Sequence, residues 1–267
     1  VEGYRALAET CSLGRTIASV EAQDAWYLKG GLVAEAVQVV LIGRGFVRAR
    51  RRGKLMMLDV AEVHADEPSQ AEGVEAVLGL RFGMSGRLVC DGRLSVDSLL
   101  YSPIAASPQY DRFAVVFADG GRLVMNDPRR LGGVELDPDE TRLGPDSLGI
   151  SAAELKRALV GAQVALKARL LDQSKVAGIG NLIADEVLWR AGLAPVRPAA
   201  SLTGPELRRL HRHLTSGLQE VIERGGSHTG DLIPHRRPGG RCPRDQALLV
   251  RASVGGRTTW WCPVHQV

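Results

Sequence analysis

The sequence predicts an α+β chain in which a strand-rich first part is followed by a helical module and a short hairpin finger. Three observations carry this. Residues 1–150 contain several short apolar runs of strand period separated by glycine turns. The period then changes near residue 150, where Ser151-x-x-Glu154 and Thr203-x-x-Glu206 each have the form of a capping box that opens a helix. The charge also divides: residues 1–150 carry 17 Lys/Arg against 21 Asp/Glu, and residues 151–267 carry 17 against 9. An acidic part beside a basic part of net +8 suggests two modules, one of which meets a polyanion.

In chain order, Tyr4, Leu7, Ala8 and Cys11 recur at helical spacing over 3–13, and Gly14 ends the run. Strands are expected at Thr16 to Ala22, as one long ribbon from Phe46 to Val60, over Ala76 to Cys90 with breaks at three glycines, and at Arg112 to Ala118. The last of these turns through Asp119-Gly120-Gly121 into Arg122 to Met125. The polar stretch 64–73 reads as a surface loop. Short strands with hairpin turns and few helices favour a β-sandwich or barrel over a parallel sheet. Beyond 150, helices are expected from the two capping boxes, with two more over about 162–173 and 181–191. The stripe Leu207, Leu210, Leu214, Leu218, Val221, Ile222 gives the last helix its apolar face. Two β-like pieces then flank Gly255-Gly256.

At 267 residues, with 45% apolar and 24% charged residues, the chain has an ordinary globular composition. Its apolar runs are too short to cross a bilayer, and it reads as soluble and cytoplasmic. The four cysteines, Cys11, Cys90, Cys242 and Cys262, are too few and scattered for a disulfide framework.

The sharpest local signal is VAGIGNLIADE (176–186), where Gly178 and Gly180 precede Asn181 at a helix start. Glycines let backbone approach a ligand closely, and the amides that open a helix favour an anion. A tight turn between packed helices, with Asn181 as a plain N-cap, is the other reading. Flanking Lys167, Arg169 and Lys175 tilt it toward a nucleic-acid backbone. The tail places Cys242 and Asp245 sixteen residues before Cys262 and His265, a C-x2-D-x16-C-x2-H spacing that suits a four-ligand zinc ribbon. Asp is the hardest of these ligands, so affinity should fall below that of an all-cysteine site, and a metal-free hairpin remains open. Arg257 sits just past the glycine turn of that hairpin, where an arginine can enter a groove or meet a phosphate. Upstream, Lys54 follows Gly53 in the dense positive run RARRRGK. Met84 in FGMSGRL and Arg129 and Leu131 in NDPRRLGG lie on tight turns, from which they can fill the gap left by an extruded base or serve ordinary turn and core roles.

Five fragments, RRRGKLMMLD, LRFGMSGRL, NDPRRLGG, LLDQSKVAGIGNLIADEVLW and GGRTTWWCPVHQ, occur in one order along the chain. Taken together the sequence resembles the formamidopyrimidine-DNA glycosylase and endonuclease VIII family across its whole length. The resemblance implies an N-terminal β-sandwich over 1–137, a helix-two-turn-helix domain over 138–228 and a zinc or zincless finger over 229–267, with DNA in the cleft between the halves. It implies base excision and AP lyase activity on oxidised bases through a Schiff base, by a monomer acting on double-stranded DNA that carries damaged bases or abasic sites. Lys54 is then the β-elimination or phosphate-contacting lysine, and Arg257 the finger arginine of δ-elimination. Asn181, with Gly178, Gly180 and Lys167, contacts backbone at the lesion, while Met84, Arg129 and Leu131 occupy the vacated space. Leu131 stands where many relatives have phenylalanine, so its wedge is smaller. The short 224–240 stretch leans toward oxidised pyrimidines or broad specificity.

The family's nucleophile is an N-terminal proline in an opening motif near PELPEVE, whose last two residues match Val1-Glu2. An omitted N-terminal peptide is therefore expected, and the polypeptide as written should bind DNA without normal turnover. The alternative is a catalytically inactive protein that recognises abasic or distorted DNA.

Overall fold

The computed structural model describes residues 1–63, 73–95 and 105–267, which divide into a strand-rich unit, Val1–Glu140, and a helical unit, Thr141–Val267. The predicted loop at 64–73 lies, but for Gly73, outside the described residues.

The strand-rich unit opens with α1 (Glu2–Cys11), which buries Tyr4 and Ala8, then β1 (Ile17–Glu21) and α2 (Ala34–Leu41). Strands β2 (Gly45–Arg52), β3 (Leu55–Ala61), β4 (Ala76–Arg81) and β9 (Gly133–Leu136) form one antiparallel sheet in the order β2-β3-β4-β9. Strands β5 (Arg87–Cys90), β6 (Arg93–Leu94), β7 (Asp111–Phe117) and β8 (Arg122–Asn126) join β1 in a second, β1-β7-β8-β5-β6. Phe46, Met56, Leu58 and Leu78 of the first sheet and Val115, Phe117, Leu123 and Met125 of the second bury into one core cluster.

One expectation is corrected here, and two features stand outside what the sequence reading named. The ribbon Phe46 to Val60 is a hairpin: Gly53, at φ 61°, and Lys54 form a two-residue turn that pairs Arg52 with Leu55. Interior β3 is buried along its whole length, and its one charge, Asp59, is matched by Arg50 Nε at 2.7 Å. Helix α2 was not anticipated. It has no side-chain cap, and its short run AEAVQVVL forms by burying Val37 and Leu41. Finally, Cys11 and Cys90 form a disulfide, because the C-terminal end of α1 lies against β5.

In the helical unit α3 (Ala152–Leu159), α4 (Leu166–Leu171), α5 (Asn181–Ala191) and α6 (Gly204–Glu223) share a core that includes Leu155, Leu166, Ile183, Leu188, Leu210 and Leu214. Both capping boxes form, at Ser151 with Glu154 and at Thr203 with Glu206. Helix α4 is shorter than its pattern because residues 162–165 lie outside it, with the Ala162 and Val164 carbonyls accepting from the Ala200 and Ala199 N–H groups. Strands β10 (Val250–Val254) and β11 (Arg257–Trp261) make the terminal hairpin.

Candidate nucleic-acid interface and metal centre

In the strand-rich unit the functional candidates sit on turns. Lys54 is exposed at the β2–β3 turn. Beside it in sequence, Arg51 donates to Glu2 at 2.9 Å and to the Gly53 carbonyl at 2.9 Å, which fixes the turn's approach. Met84 and Leu131 project from two loops with 52% and 44% of their surfaces exposed. The two loops touch. A Cβ on Gly83, which has φ +57°, would lie 2.5 Å from the Leu131 carbonyl oxygen, so only glycine permits this approach.

A residue not singled out in the sequence holds both loops. Asp127 is fully buried, and its carboxylate accepts from Ser85 Oγ, Tyr27 Oη at 3.3 Å, Arg129 N at 3.2 Å and Gly132 N at 2.8 Å. The contact to the amide two residues on is an Asx turn, and the Asp-Pro pair in NDPRR is its sequence signal. Burial, with Asp127 alongside, drives the Tyr27 phenol well above its ordinary range, so it remains a neutral donor. Thus the two loops that carry Met84, Arg129 and Leu131 are tied to one buried carboxylate.

In the helical unit Gly178, at φ 110°, donates its N–H to Gln173 Oε1 at 3.0 Å, and the chain enters α5 through Gly180 and Asn181. The first intrahelical bond runs from Ala184 N–H to the Gly180 carbonyl at 2.8 Å, leaving the preceding amides outside the ladder. Asn181 Nδ2 donates to the Thr258 carbonyl at 3.1 Å, which joins the helix start to the strand that begins with exposed Arg257. The turn before Arg257 packs on α4, since a Cβ on Gly255 would lie 2.9 Å from Ala168 Cβ. Asn181, the glycine turn and Arg257 therefore share one neighbourhood.

Lys167 does not take the place expected of it. Its side chain is wholly buried, with Nζ 2.7 Å from Asp185 Oδ1, 2.7 Å from Thr259 Oγ1 and 3.3 Å from the Thr258 carbonyl. A side chain so enclosed cannot meet a phosphate, and it instead locks β11 to α4 and α5. Arg236 completes the cluster, donating to Asp185 Oδ2 at 2.9 Å. Burial lowers the Lys167 pKa and raises that of Asp185, each partly offset by the other's charge.

The four tail residues converge. One donor atom each from Cys242, Asp245, Cys262 and His265 lies within 4.8 Å of the other three. His265 Nε2 lies 3.2 Å from the Trp189 carbonyl, which can only accept, so Nε2 carries the proton and Nδ1 turns inward. Nδ1 is then 3.0 Å from Asp245 Oδ2 and 3.6 Å from Cys242 Sγ. Lone pairs facing a carboxylate at this distance need a cation or proton between them. Outside the donors, Trp189 Nε1 and Arg244 N point at Cys242 Sγ at 3.3 and 3.4 Å, the outer support typical of metal ligands. The set fits a tetrahedral metal.

A two-sheet unit with two touching loops, followed by four helices and a ligand-clustered hairpin, has the architecture of the class of helix-two-turn-helix DNA glycosylases. Residues 1–134 match the formamidopyrimidine-DNA glycosylase N-terminal domain and residues 143–232 the formamidopyrimidine-DNA glycosylase H2TH domain. A formamidopyrimidine-DNA glycosylase of Paracoccus denitrificans (strain Pd 1222) is 33% identical over 277 residues, covering 95% of this chain and 93% of its own. One from Roseiflexus sp. (strain RS-1) is 30% identical over 272 residues, with 88% and 97% covered. The structure superposes on a Lactococcus lactis Fpg in complex with an abasic site containing DNA, with TM-score 0.79, 25% identity and coverage of 99% and 97%. A complex of the same protein with FAPY-dG containing DNA gives TM-score 0.79 at 26% identity, again covering 99% and 97%. The chain belongs to the formamidopyrimidine-DNA glycosylase family.

Proposed function

We infer that the protein is a base-excision repair glycosylase with AP lyase activity that removes oxidised bases from duplex DNA, working as a monomer in the cytoplasm. The observation that carries this reading is the Asn181–Thr258 hydrogen bond, which sets a phosphate-suited helix start and an arginine-tipped hairpin side by side. Asn181, Gly178 and Gly180 hold the backbone at the lesion. Met84, Arg129 and Leu131 fill the space of the extruded nucleotide, the two apolar side chains against base faces and the guanidinium toward the unpaired partner. Lys54, in the strand-rich unit, and Arg257, in the helical unit, are each read as a positive charge that offsets that of a departing phosphate during strand cleavage. The strand-rich unit is read as a β-sandwich, domain 1–137, followed by the helix-two-turn-helix domain 138–228 and a zinc finger, 229–267. In the finger, Cys242, Asp245, Cys262 and His265 hold a structural zinc that stabilises the hairpin presenting Arg257.

The test uses protein expressed from its complete reading frame. Duplexes with one oxidised pyrimidine or purine should be cleaved at the lesion, and borohydride should trap a covalent protein–DNA adduct. Asn181→Ala should weaken lesion-duplex binding about tenfold or more. Neither cleavage nor adduct on any lesion would overturn the reading.

A further inference from the structure

The arginines of the helical unit include two contrasting groups. Arg190 sits on Glu186, Glu220 and Asp231, Arg197 on Glu206, Arg224 on Glu220 and Asp231, and Arg236 on Asp185. Arg208, Arg209, Arg212 and Arg244 are different: among the described residues none of them has a carboxylate partner. On α6, Arg208 and Arg212 are one turn apart, and Arg209 neighbours both Arg212 and His213. Arg209 Nε donates to the Ala191 carbonyl at 2.6 Å, and Arg244 Nη2 donates to the Arg190 carbonyl at 3.2 Å while its guanidinium lies 4.5 Å over the Trp189 ring. Burial first, then Arg212, Arg244, Arg190 and Arg209, hold the His213 pKa below its ordinary value.

Capping the carboxyl end of α5 accounts for Arg209 and Arg244. It does not account for Arg208 and Arg212, which are exposed and whose guanidinium groups, among the described residues, bond to neither backbone nor side chain. Like charges one turn apart destabilise a helix unless an anion lies over them. Helix α5 has 11 residues, so its carboxyl end is about 16 Å from Asn181, too far to touch the same phosphate.

We infer that Arg208 and Arg212, flanked by Arg209 and Arg244, form a second contact for the phosphodiester backbone of undamaged duplex DNA. This rests on the reading that the protein acts on DNA. Forked guanidiniums repeating about 6 Å along the helix suit a line of phosphates, and the net +8 of residues 151–267 already draws such a polyanion. The contact adds sequence-independent affinity outside the lesion site.

The experiment compares the full protein with R208Q/R212Q and R208E/R212E. Affinity for a long undamaged duplex is followed against salt, and excision from a short lesion duplex is measured in parallel. Each lost phosphate contact should reduce the slope of log K against log salt by about one, so the Gln pair should reduce it by about two and weaken low-salt binding about tenfold or more. Excision at saturating protein should stay within about twofold of the parent. An unchanged slope in both variants overturns the contact. So does a variant that loses binding to poly-glutamate while its DNA slope is unchanged, which would assign the patch to an acidic protein. Failure of the parent to excise any lesion would strike at the glycosylase reading instead, and the salt slope would still decide the patch.

Discussion

The backbone N–H of Gly132 donates to Asp127 Oδ2 at 2.8 Å, closing the turn that carries Arg129 and Leu131. The other carboxylate oxygen takes Ser85 Oγ and so ties in the Met84 loop. Asp127→Ala leaves two hydroxyls and two amides in a buried pocket short of an acceptor. It should destabilise the strand-rich unit by about 2–3 kcal/mol, read by urea denaturation. Asp127→Asn keeps the shape but turns one oxygen into a donor facing donors, and should lose much of the lesion discrimination at nearly unchanged affinity for undamaged DNA. If discrimination survives Asp127→Asn, the anchor is not what orders the loops.

The buried Lys167–Asp185 pair supports a different kind of experiment. Lys167→Met removes one charge and leaves the other enclosed, which typically costs about 3–5 kcal/mol. Because Lys167 also reaches Thr258 and Thr259, the loss should be felt at the hairpin, and Trp260 and Trp261 should become more accessible to an acrylamide quencher. A variant of unchanged stability, or one with unaltered quenching, would separate Lys167 from the docking of β11.

Glu206 offers a pH-resolved test of the cap on α6. Its carboxyl is lowered from 4.5 to about 2, first by Arg197 and then by the Thr203 backbone and hydroxyl. Since the folded pKa lies below the unfolded one, the stabilisation is present above about pH 4.5 and is lost as pH falls toward 2. The pair remains partly open to solvent, so its contribution is about 1 kcal/mol rather than the full value of the shift. Glu206→Gln should therefore lower the stability of the helical unit near neutrality, and the difference from the parent should close between about pH 4.5 and 2 in parallel denaturation curves. A constant difference across that range would rule out the carboxylate as its source.

The ligand cluster predicts one zinc per chain by elemental analysis. Exhaustive chelation should leave the circular dichroism of the helical core largely intact while broadening or shifting the hairpin resonances of residues 250–261 in an NMR spectrum. Asp245→Cys replaces the hardest donor with a thiolate and should raise zinc affinity, whereas His265→Ala should lower it. Zinc content insensitive to both changes would place the ion elsewhere.

What the sequence displayed, and what it hid, follows from how local each signal is. Helix α5 was legible to its end residues, because Gly180 precedes it and Gly192, at φ 63°, closes it in the left-handed region. The capping boxes and the Leu210–Leu214–Leu218 stripe were equally local. Lys167 looked like a surface cation in LKARLL. The acid that buries it is eighteen residues on, in another helix, and nothing in either segment announces the pairing. Asp127 was hidden for the same reason, since its partners Tyr27 and Ser85 come from distant parts of the chain. Cysteine spacing was likewise silent about which thiols meet: the four-ligand pattern in the tail was readable, and the contact between Cys11 and Cys90 was not.

That contact yields the last prediction. The bond joins the end of α1 to β5 across a separation of 79 residues, and β5 begins just after the Met84 loop, so it closes a long loop beside that segment. Closing such a loop removes entropy from the unfolded chain and typically adds about 2–4 kcal/mol. Alkylation under denaturing conditions should label two cysteines, Cys242 and Cys262, in the unreduced, metal-stripped protein and all four after reduction. Reduction should lower the unfolding transition of the strand-rich unit and leave that of the helical unit in place, because both sulfurs belong to the first. Cys90→Ala should reproduce the loss and abolish any further effect of reductant, which separates the bond from general thiol chemistry. If the parent labels at four cysteines without reductant, the two thiols are neighbours and not a bond, and α1 is held by Tyr4 against Phe82 and by Glu2 on Arg51.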